Sequence, residues 1–324
     1  MAPLMKAIVV EGGKGSTASM KLAEVPMPEP KAGEIMIRVA AAGMNRADIA
    51  QREGLYPPPP GASSILGLEV AGEVVASAGR WRIGDKVCAL LGGGGYAEYA
   101  ICDARHAFPI PAGYSLIEAA GLPEAVLTCY VNLFEHGDLK AGETLMVHGA
   151  NSGIGVTAIQ MAKAEGARVI ATARGKARTD QALALGADLA IDAAAEDFEA
   201  AAKAAGGVDV ILDMIAGPYF EKNLLALNIG GRLVHIASLA GAKVELPIPM
   251  LMMKRLVVTG STLRGRDADE KARIAQAAER KVWPQIDAGQ VKAVIDRTFP
   301  LAEARKAHDY LEPSGHVGKV VLTV

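Results

Sequence analysis

The stretch "VHGANSGIGVTAIQMA" holds the densest chemistry in this chain. Gly149, Gly153 and Gly155 follow an apolar, strand-like run and open a helix-like one. Glycines let a backbone approach a pyrophosphate, and a helix N-terminus offers free N–H groups and the positive end of its dipole. Asn151, Ser152, Gly153, Ile154 and Gly155 are therefore candidates for holding a dinucleotide. A site for NAD ordinarily carries an Asp or Glu about 20 residues further on, against the ribose hydroxyls. In "TARGKARTD" that place is taken by Arg174, with Lys176 and Arg178 beside it. A carboxylate would repel a 2′-phosphate, whereas guanidinium groups pair with one. The pattern favours NADPH over NADH. Lys176 can equally be read as part of a solvated basic turn.

A second chemical question sits in "SILGLEVAGEVV", residues 63–74, which reads as a buried strand. Its Glu69 stands among Leu66, Leu68, Val70 and Ala71, where a charge is costly unless something pairs with it. Glu69 is either part of a metal site or a structural acid held by a cation or a backbone donor. The six histidines show no metal-pair spacing, and Cys88, Cys102 and Cys129 form no CxxC pair. Three sparse cysteines fit core thiols in a reducing cytoplasm. No nucleophile elbow and no Ser-His-Asp order is visible. None of the seven tyrosines has a lysine four residues on, which excludes the proton-transfer pair of the short-chain dehydrogenases.

The elements that must position these residues change character along the chain. Residues 5–125 read as β-rich, with short apolar runs between Gly and Pro turns, and "YPPPPGAS" as a rigid extended loop. From about residue 126, strands alternate with helical segments, the rhythm of a doubly wound parallel sheet. The expected fold class is α/β. Residues 1–125 and 266–324 form one domain and residues 126–265 a nucleotide-binding domain. Charge is balanced, 34 Lys plus Arg against 36 Asp plus Glu, which gives no electrostatic case for nucleic acid or membrane surfaces. The N-terminus shows no signal-peptide pattern, and the most apolar later stretch is broken by Pro247, Pro249, Lys254 and Arg255.

The whole chain resembles the medium-chain dehydrogenase/reductase superfamily, which implies an N-terminal chaperonin-like β-barrel catalytic domain and a Rossmann domain. "AAGMNRADIAQREGLYP", residues 41–57, looks like the signature of its zinc-independent quinone oxidoreductases. "YPPPPGASSILGLEVAG", "LPEAVLT" and "STLRGRD" are similar to the tumour-suppressor-inducible branch of that family. Zinc relatives carry Gly-His-Glu where this chain has Gly67-Leu68-Glu69, and a ligand cysteine where it has Asn45. The resemblance thus implies no metal, and makes Glu69 a structural acid. Without a Lewis acid, alcohol oxidation is disfavoured, whereas a quinone or enone spreads the incoming charge itself.

The resemblance further places Asn45 and Tyr56 beside the nicotinamide as catalytic residues. Tyr56 has the alternative role of bracing the proline loop. Thr128, Ser238, Leu239, Leu263, Arg264 and Lys319 match cofactor-lining positions. The expectation is an NADPH-dependent quinone oxidoreductase, cytoplasmic and homodimeric, with "LPIPMLMMKRLVVTG" as a contact edge. Its partners are then a small-molecule quinone or enone, without nucleic acid or membrane. Two rivals remain open: an enoyl or enone reductase on the same scaffold, and a catalytically idle NADPH-binding sensor.

Overall fold

A computed structural model describes residues 3–324. The chain divides into two units. Residues up to Leu127 join Arg264–Asp287 and Ala293–Val324 in the first, and Thr128–Leu263 with Ala288–Lys292 make the second. In chain order the elements begin with β1 (Leu4–Val10), β2 (Met20–Pro26), β3 (Glu34–Gly43), α1 (Arg46–Arg52) and β4 (Glu69–Ala76). They continue with β5 (Lys86–Leu90), β6 (Tyr99–Asp103), β7 (Ala107–Pro109), α2 (Leu116–Ala119) and α3 (Pro123–Tyr130). Next come β8 (Thr144–His148), α4 (Gly153–Ala164), β9 (Arg168–Ala173), α5 (Lys176–Ala184), β10 (Leu189–Asp192), α6 (Phe198–Ala204) and β11 (Val208–Asp213). Then follow α7 (Phe220–Ala226), β12 (Leu227–His235), α8 (Ile248–Lys254) and β13 (Val257–Gly260). The chain closes with α9 (Ala268–Asp287), β14 (Ile295–Pro300), α10 (Ala304–Leu311) and β15 (Lys319–Thr323).

Period-two burial drives the first unit. On β3, Ile35, Ile37 and Val39 face the core while alternate residues face outward. The sheet runs β14-β15-β3-β4-β5-β7, with β6 also paired to β3. Register decides what meets at one end of it. Gly43, the last residue of β3, lies opposite Glu69, the first of β4, and opposite Val321 of β15. Because β4 and β15 both run antiparallel to β3, their first residues, Glu69 and Lys319, arrive at the end where the chain leaves toward Asn45.

The strand expected over 63–74 is shorter than its apolar pattern. Only Glu69 onward joins the ladder, and the carbonyls of Ile65, Leu66 and Gly67 accept N–H groups of Gly94, Tyr96 and Gly95 instead. Gly67 has φ +98°, and a Cβ there would lie 2.6 Å from the Tyr96 ring, so the chain turns where only glycine fits.

The second unit is a six-stranded parallel sheet in the order β10-β9-β8-β11-β12-β13. Its central strands are near-continuous apolar runs, "TLMVH", "RVIATA" and "VDVILD", as sheets covered on both faces require. The chain reverses direction across the sheet between β8 and β11, and ligands of open α/β sheets bind at the carboxyl ends beside such a switch point. Just beyond β11, Ala216 is held at φ 56°, ψ −144°, a region that costs a non-glycine residue about 1–3 kcal/mol. The Asp213 carboxylate accepts the N–H groups of Ile215 (2.6 Å) and Ala216 (3.2 Å) and holds the turn. Ala216→Gly therefore raises stability by about 1 kcal/mol once the extra freedom of the unfolded glycine is subtracted. Urea unfolding measures this, and an unchanged or lower midpoint would contradict the strain. Among the described residues, no helix is long and apolar enough to cross a membrane.

Candidate active site

Asn45 precedes α1, and its side-chain amide is held at both ends. Its Oδ1 accepts from Lys319 Nζ at 2.6 Å and its Nδ2 donates to Glu69 Oε1 at 3.0 Å. Lys319 Nζ also meets Glu69 Oε1 at 2.5 Å, and the Glu124 N–H donates to Glu69 Oε2 at 2.9 Å. Glu69 is fully buried, and all three groups around it are donors. A Cβ on Gly43 would come within 2.3 Å of Glu69 Oε1 and 2.4 Å of the Ala120 carbonyl, so this close approach requires glycine.

Of the buried residues of α1, Ile49 enters the apolar core, while Asp48, Gln51 and Arg52 are polar. Asp48 accepts from the Asn45 N–H (2.7 Å), the Tyr96 hydroxyl (3.0 Å) and the Gly67 N–H (3.2 Å). Burial pushes its carboxyl up to about 6, against the opposing pull of these donors and of Lys319. One turn on, Gln51 Nε2 donates to the Ser64 carbonyl at 3.0 Å, and Arg52 pairs with Glu53 and Glu312. Asp48, Gln51 and Arg52 thus tie the helix to other segments, at Gly67 and Tyr96, Ser64 and Glu312.

Tyr56 ends the turn after α1 and is half-buried, with its N–H on the Ala50 carbonyl. Burial raises its phenol above the ordinary tyrosine range, and Arg264 pulls it back. Arg264 itself is buried, and its side chain donates to Gly92, Tyr56 and Gln51 rather than pointing outward. Leu68 is buried in the apolar core, with no ligating atom to offer. Among the described residues, no group of three or more His, Cys, Asp or Glu converges as a set of metal ligands.

In the second unit, Ser152 caps α4. Its hydroxyl accepts from the Gly155 N–H (3.0 Å) and donates to the Gly149 carbonyl (2.9 Å). The N–H groups of Gly153 and Ile154 lie in the first turn and have no intrahelical acceptor. Gly149 has φ +69°, and a Cβ on Gly155 would lie 2.3 Å from the Gly149 carbonyl, so the tight turn is built for glycine at both places. Free first-turn donors behind such a turn fit a pyrophosphate. Met214 lies against it. The Ser152 hydroxyl is 3.7 Å from its sulfur, and its carbonyl accepts the N–H of Leu239, which brings exposed Ser238 and Leu239 to the same turn.

Arg174 is exposed at the end of β9, and Arg178 reaches back to its carbonyl at 3.4 Å. Lys176 instead pairs with Asp180 at 2.8 Å, one helical turn on. Thr128 and Leu263 are half-buried, and the Thr128 carbonyl accepts from Asn132. Asn151 lies half-buried in the glycine-rich turn.

Sequence reasoning missed Asp48, Gln51 and Tyr96, and also a buried network beneath the glycine-rich turn. There His148 Nε2 donates to Asn223 Oδ1 (2.7 Å), its Nδ1 meets the Thr172 hydroxyl (2.8 Å), and Asn223 Nδ2 donates to Asp213 (3.1 Å). Burial keeps the His148 imidazole below its ordinary pKa, which suits this neutral arrangement. The spacing of Asp48, Gln51 and Arg52 on one face of a short helix was a signal that could have been used.

Comparison with known proteins agrees with this architecture. Residues 31–112 match the model of the alcohol dehydrogenase GroES-like domain, and residues 153–280 that of the zinc-binding dehydrogenases. The quinone oxidoreductase of Rattus norvegicus is 30% identical over 331 residues, covering 98% of both chains. The structure of the quinone oxidoreductase from Thermus thermophilus, solved also in complex with NADPH, superposes with a TM-score of 0.85 at 34% identity. That match covers 99% of this chain and all of the other. A phenolphthiocerol synthesis polyketide synthase of Mycobacterium bovis is 30% identical over 324 residues, 97% of this chain and 15% of that protein.

Fold and glycine-rich turn together define the class, a nicotinamide-dependent oxidoreductase of the medium-chain dehydrogenase/reductase type. Within it, the chain belongs to the quinone oxidoreductase family.

Proposed function

We propose that this enzyme is an NADPH-dependent, zinc-independent quinone oxidoreductase. The observation that carries the reading is the closed Asn45–Glu69–Lys319 network. Zinc relatives place a ligand cysteine where this chain has Asn45, and here the Asn45 amide hydrogen-bonds both members of the Glu69–Lys319 ion pair. The neighbouring ligand position is Leu68, in the apolar core. Lewis-acid help is then replaced by an acceptor that spreads its own charge, and the protein's task reduces to orientation and hydrogen bonding.

NADPH, when bound, supplies the hydride. The first-turn N–H groups of Gly153 and Ile154 hold its pyrophosphate, and Arg174 and Arg178 take the 2′-phosphate. Asn45, locked by Lys319 and Glu69, keeps one N–H of Nδ2 for an acceptor oxygen. Tyr56 donates its hydroxyl to the same developing charge. A second copy of the chain is the proposed partner. Exposed Ile248, Met252, Met253 and Val257 line α8 and the edge strand β13, and such a patch favours association. Three sparse, buried cysteines, Cys88, Cys102 and Cys129, support a reducing, cytoplasmic setting.

A second reading, reduction of an enone or enoyl thioester, is favoured by the full-length match to a stretch of a polyketide synthase. Steady-state assays after dialysis against a strong chelator test both. Full turnover of 1,4-benzoquinone or 9,10-phenanthrenequinone with NADPH is expected. Activity that is lost and then restored by stoichiometric zinc would end the zinc-free reading, and a preference for crotonyl thioesters would favour the second. Tight NADPH binding with no turnover of any acceptor would leave a sensor.

A further inference from the structure

Among the described residues, Arg264 is a buried cation without a carboxylate. Arg52 meets Glu53 and Glu312, and Lys319 meets Glu69, but the Arg264 donors all go to neutral acceptors. Nε donates to the Gly92 carbonyl (2.9 Å), one terminal nitrogen to the Tyr56 carbonyl (3.2 Å) and the other to Gln51 Oε1 (2.7 Å). The guanidinium carbon lies 5.3 Å from the centre of the Tyr56 ring. Each guanidinium nitrogen has an acceptor, yet the positive charge has no carboxylate in contact at a desolvated place, only 6% exposed. The ionisable groups in its field are Tyr56, Asp48 and Lys271. Asp48 is already held by three donors, and Lys271 carries the same sign as Arg264. Tyr56, whose ring faces the guanidinium, is the group of the three nominated for the reaction.

The same three bonds join segments far apart in sequence. They tie the loop that carries Tyr56 to α1 through Gln51 and to the glycine run at Gly92. That run is pressed against the neighbouring loop, for a Cβ on Gly93 would lie 2.5 Å from the Ser63 carbonyl and 3.4 Å from Arg264 itself.

We propose that Arg264 is a positioning residue for the reaction: it fixes the Tyr56 loop, and its unpaired charge makes the Tyr56 hydroxyl a stronger hydrogen-bond donor to the acceptor oxygen. A cation beside a phenol favours the form with charge on oxygen and so polarises the O–H bond. Burial and the Glu124 charge hold the phenol above its ordinary range, and Arg264 is the group that acts against them, the direction this requires. The inference rests on the reading of Tyr56 given under Proposed function.

A double-mutant cycle between Arg264→Met and Tyr56→Phe tests it, with kcat and KM measured for 1,4-benzoquinone and for NADPH. Each single change is expected to lower kcat/KM for the quinone by about tenfold, the worth of one lost hydrogen bond to developing charge. The double variant is expected to lose hardly more than either, and KM for NADPH to stay within about twofold in all three. Arg264→Lys, which keeps the charge and loses the fork, recovers part of kcat. Arg264→Gln and Gln51→Met serve the same cycle should Arg264→Met not fold. A merely structural arginine gives effects that multiply, and that outcome, with Tyr56→Phe impaired alone, overturns this inference while leaving the role of Tyr56 standing. A loss confined to KM for NADPH also overturns it. If Tyr56→Phe changes no kinetic constant, both readings fall.

Discussion

Lys319→Met is expected to destabilise the protein by about 3–5 kcal/mol, the cost of stripping a buried ion of its partner. In the native chain the Lys319 ammonium lies 2.5 Å from Glu69, with side-chain exposures of 6% and 0%, so water can replace neither group. Removing the ammonium leaves Glu69 with the Asn45 amide and the Glu124 N–H alone. Glu69→Gln is destabilising for the mirror-image reason, because it leaves the buried ammonium without a counter-charge. The double variant, Glu69→Gln with Lys319→Met, has no buried charge at this place and is expected to be more stable than either single variant by at least about 1 kcal/mol. Denaturant unfolding of the four proteins gives the coupling directly. If the two losses simply add, the pair is not an energetic unit. Activity falls as well in Lys319→Met, since the Asn45 amide loses the group that holds its oxygen.

The second large effect concerns the choice of cofactor. Arg174→Ala together with Arg178→Ala is expected to weaken NADPH by roughly 10²-fold or more, at about 1.5–3 kcal/mol for each charge-assisted bond to phosphate. NADH has no 2′-phosphate and should be nearly unaffected. Lys176 is left out because its ammonium already pairs with Asp180 at the next turn, so Lys176→Ala should change the cofactor ratio little. The quantity to measure is kcat/KM for NADPH divided by that for NADH, before and after the double change. A native enzyme that already prefers NADH, or an equal loss for both cofactors, makes these arginines ordinary surface charges.

How much of this was legible beforehand depends on how local the cause is. The glycine-rich turn was readable because its physics is contained within a few consecutive residues: glycine freedom, an N-cap serine and free N–H groups at a helix start. The alternation of apolar strands and helices from residue 126 likewise announced a parallel sheet, since burial on both faces leaves its mark on every strand. The pairing of Lys176 with Asp180 was equally within reach, at a spacing of four on a helix. Local signals misled where a distant segment intervened. Residues 63–68 have a strand's apolarity, but the loop of Gly94–Tyr96 captures their carbonyls, so the ladder starts only at Glu69.

By itself, the sequence determined that Glu69 is buried in apolar company and needs a partner, while its resemblance to zinc relatives set Leu68 and Asn45 where those relatives carry ligands. Only the tertiary structure decided who answers that acid. Asn45 is 24 residues from Glu69 in sequence, and Lys319 is 274 from Asn45; nothing in either local pattern points to the other. They meet because β4 and β15 both pair antiparallel with β3 in a register that ends at Gly43, and because glycine at that point leaves room for a carboxylate. Arg264 was turned inward by the same kind of cause. Its acceptors are one side chain and two carbonyls from two separate segments, residues 51–56 and Gly92, and only the folded chain brings both within reach of one guanidinium.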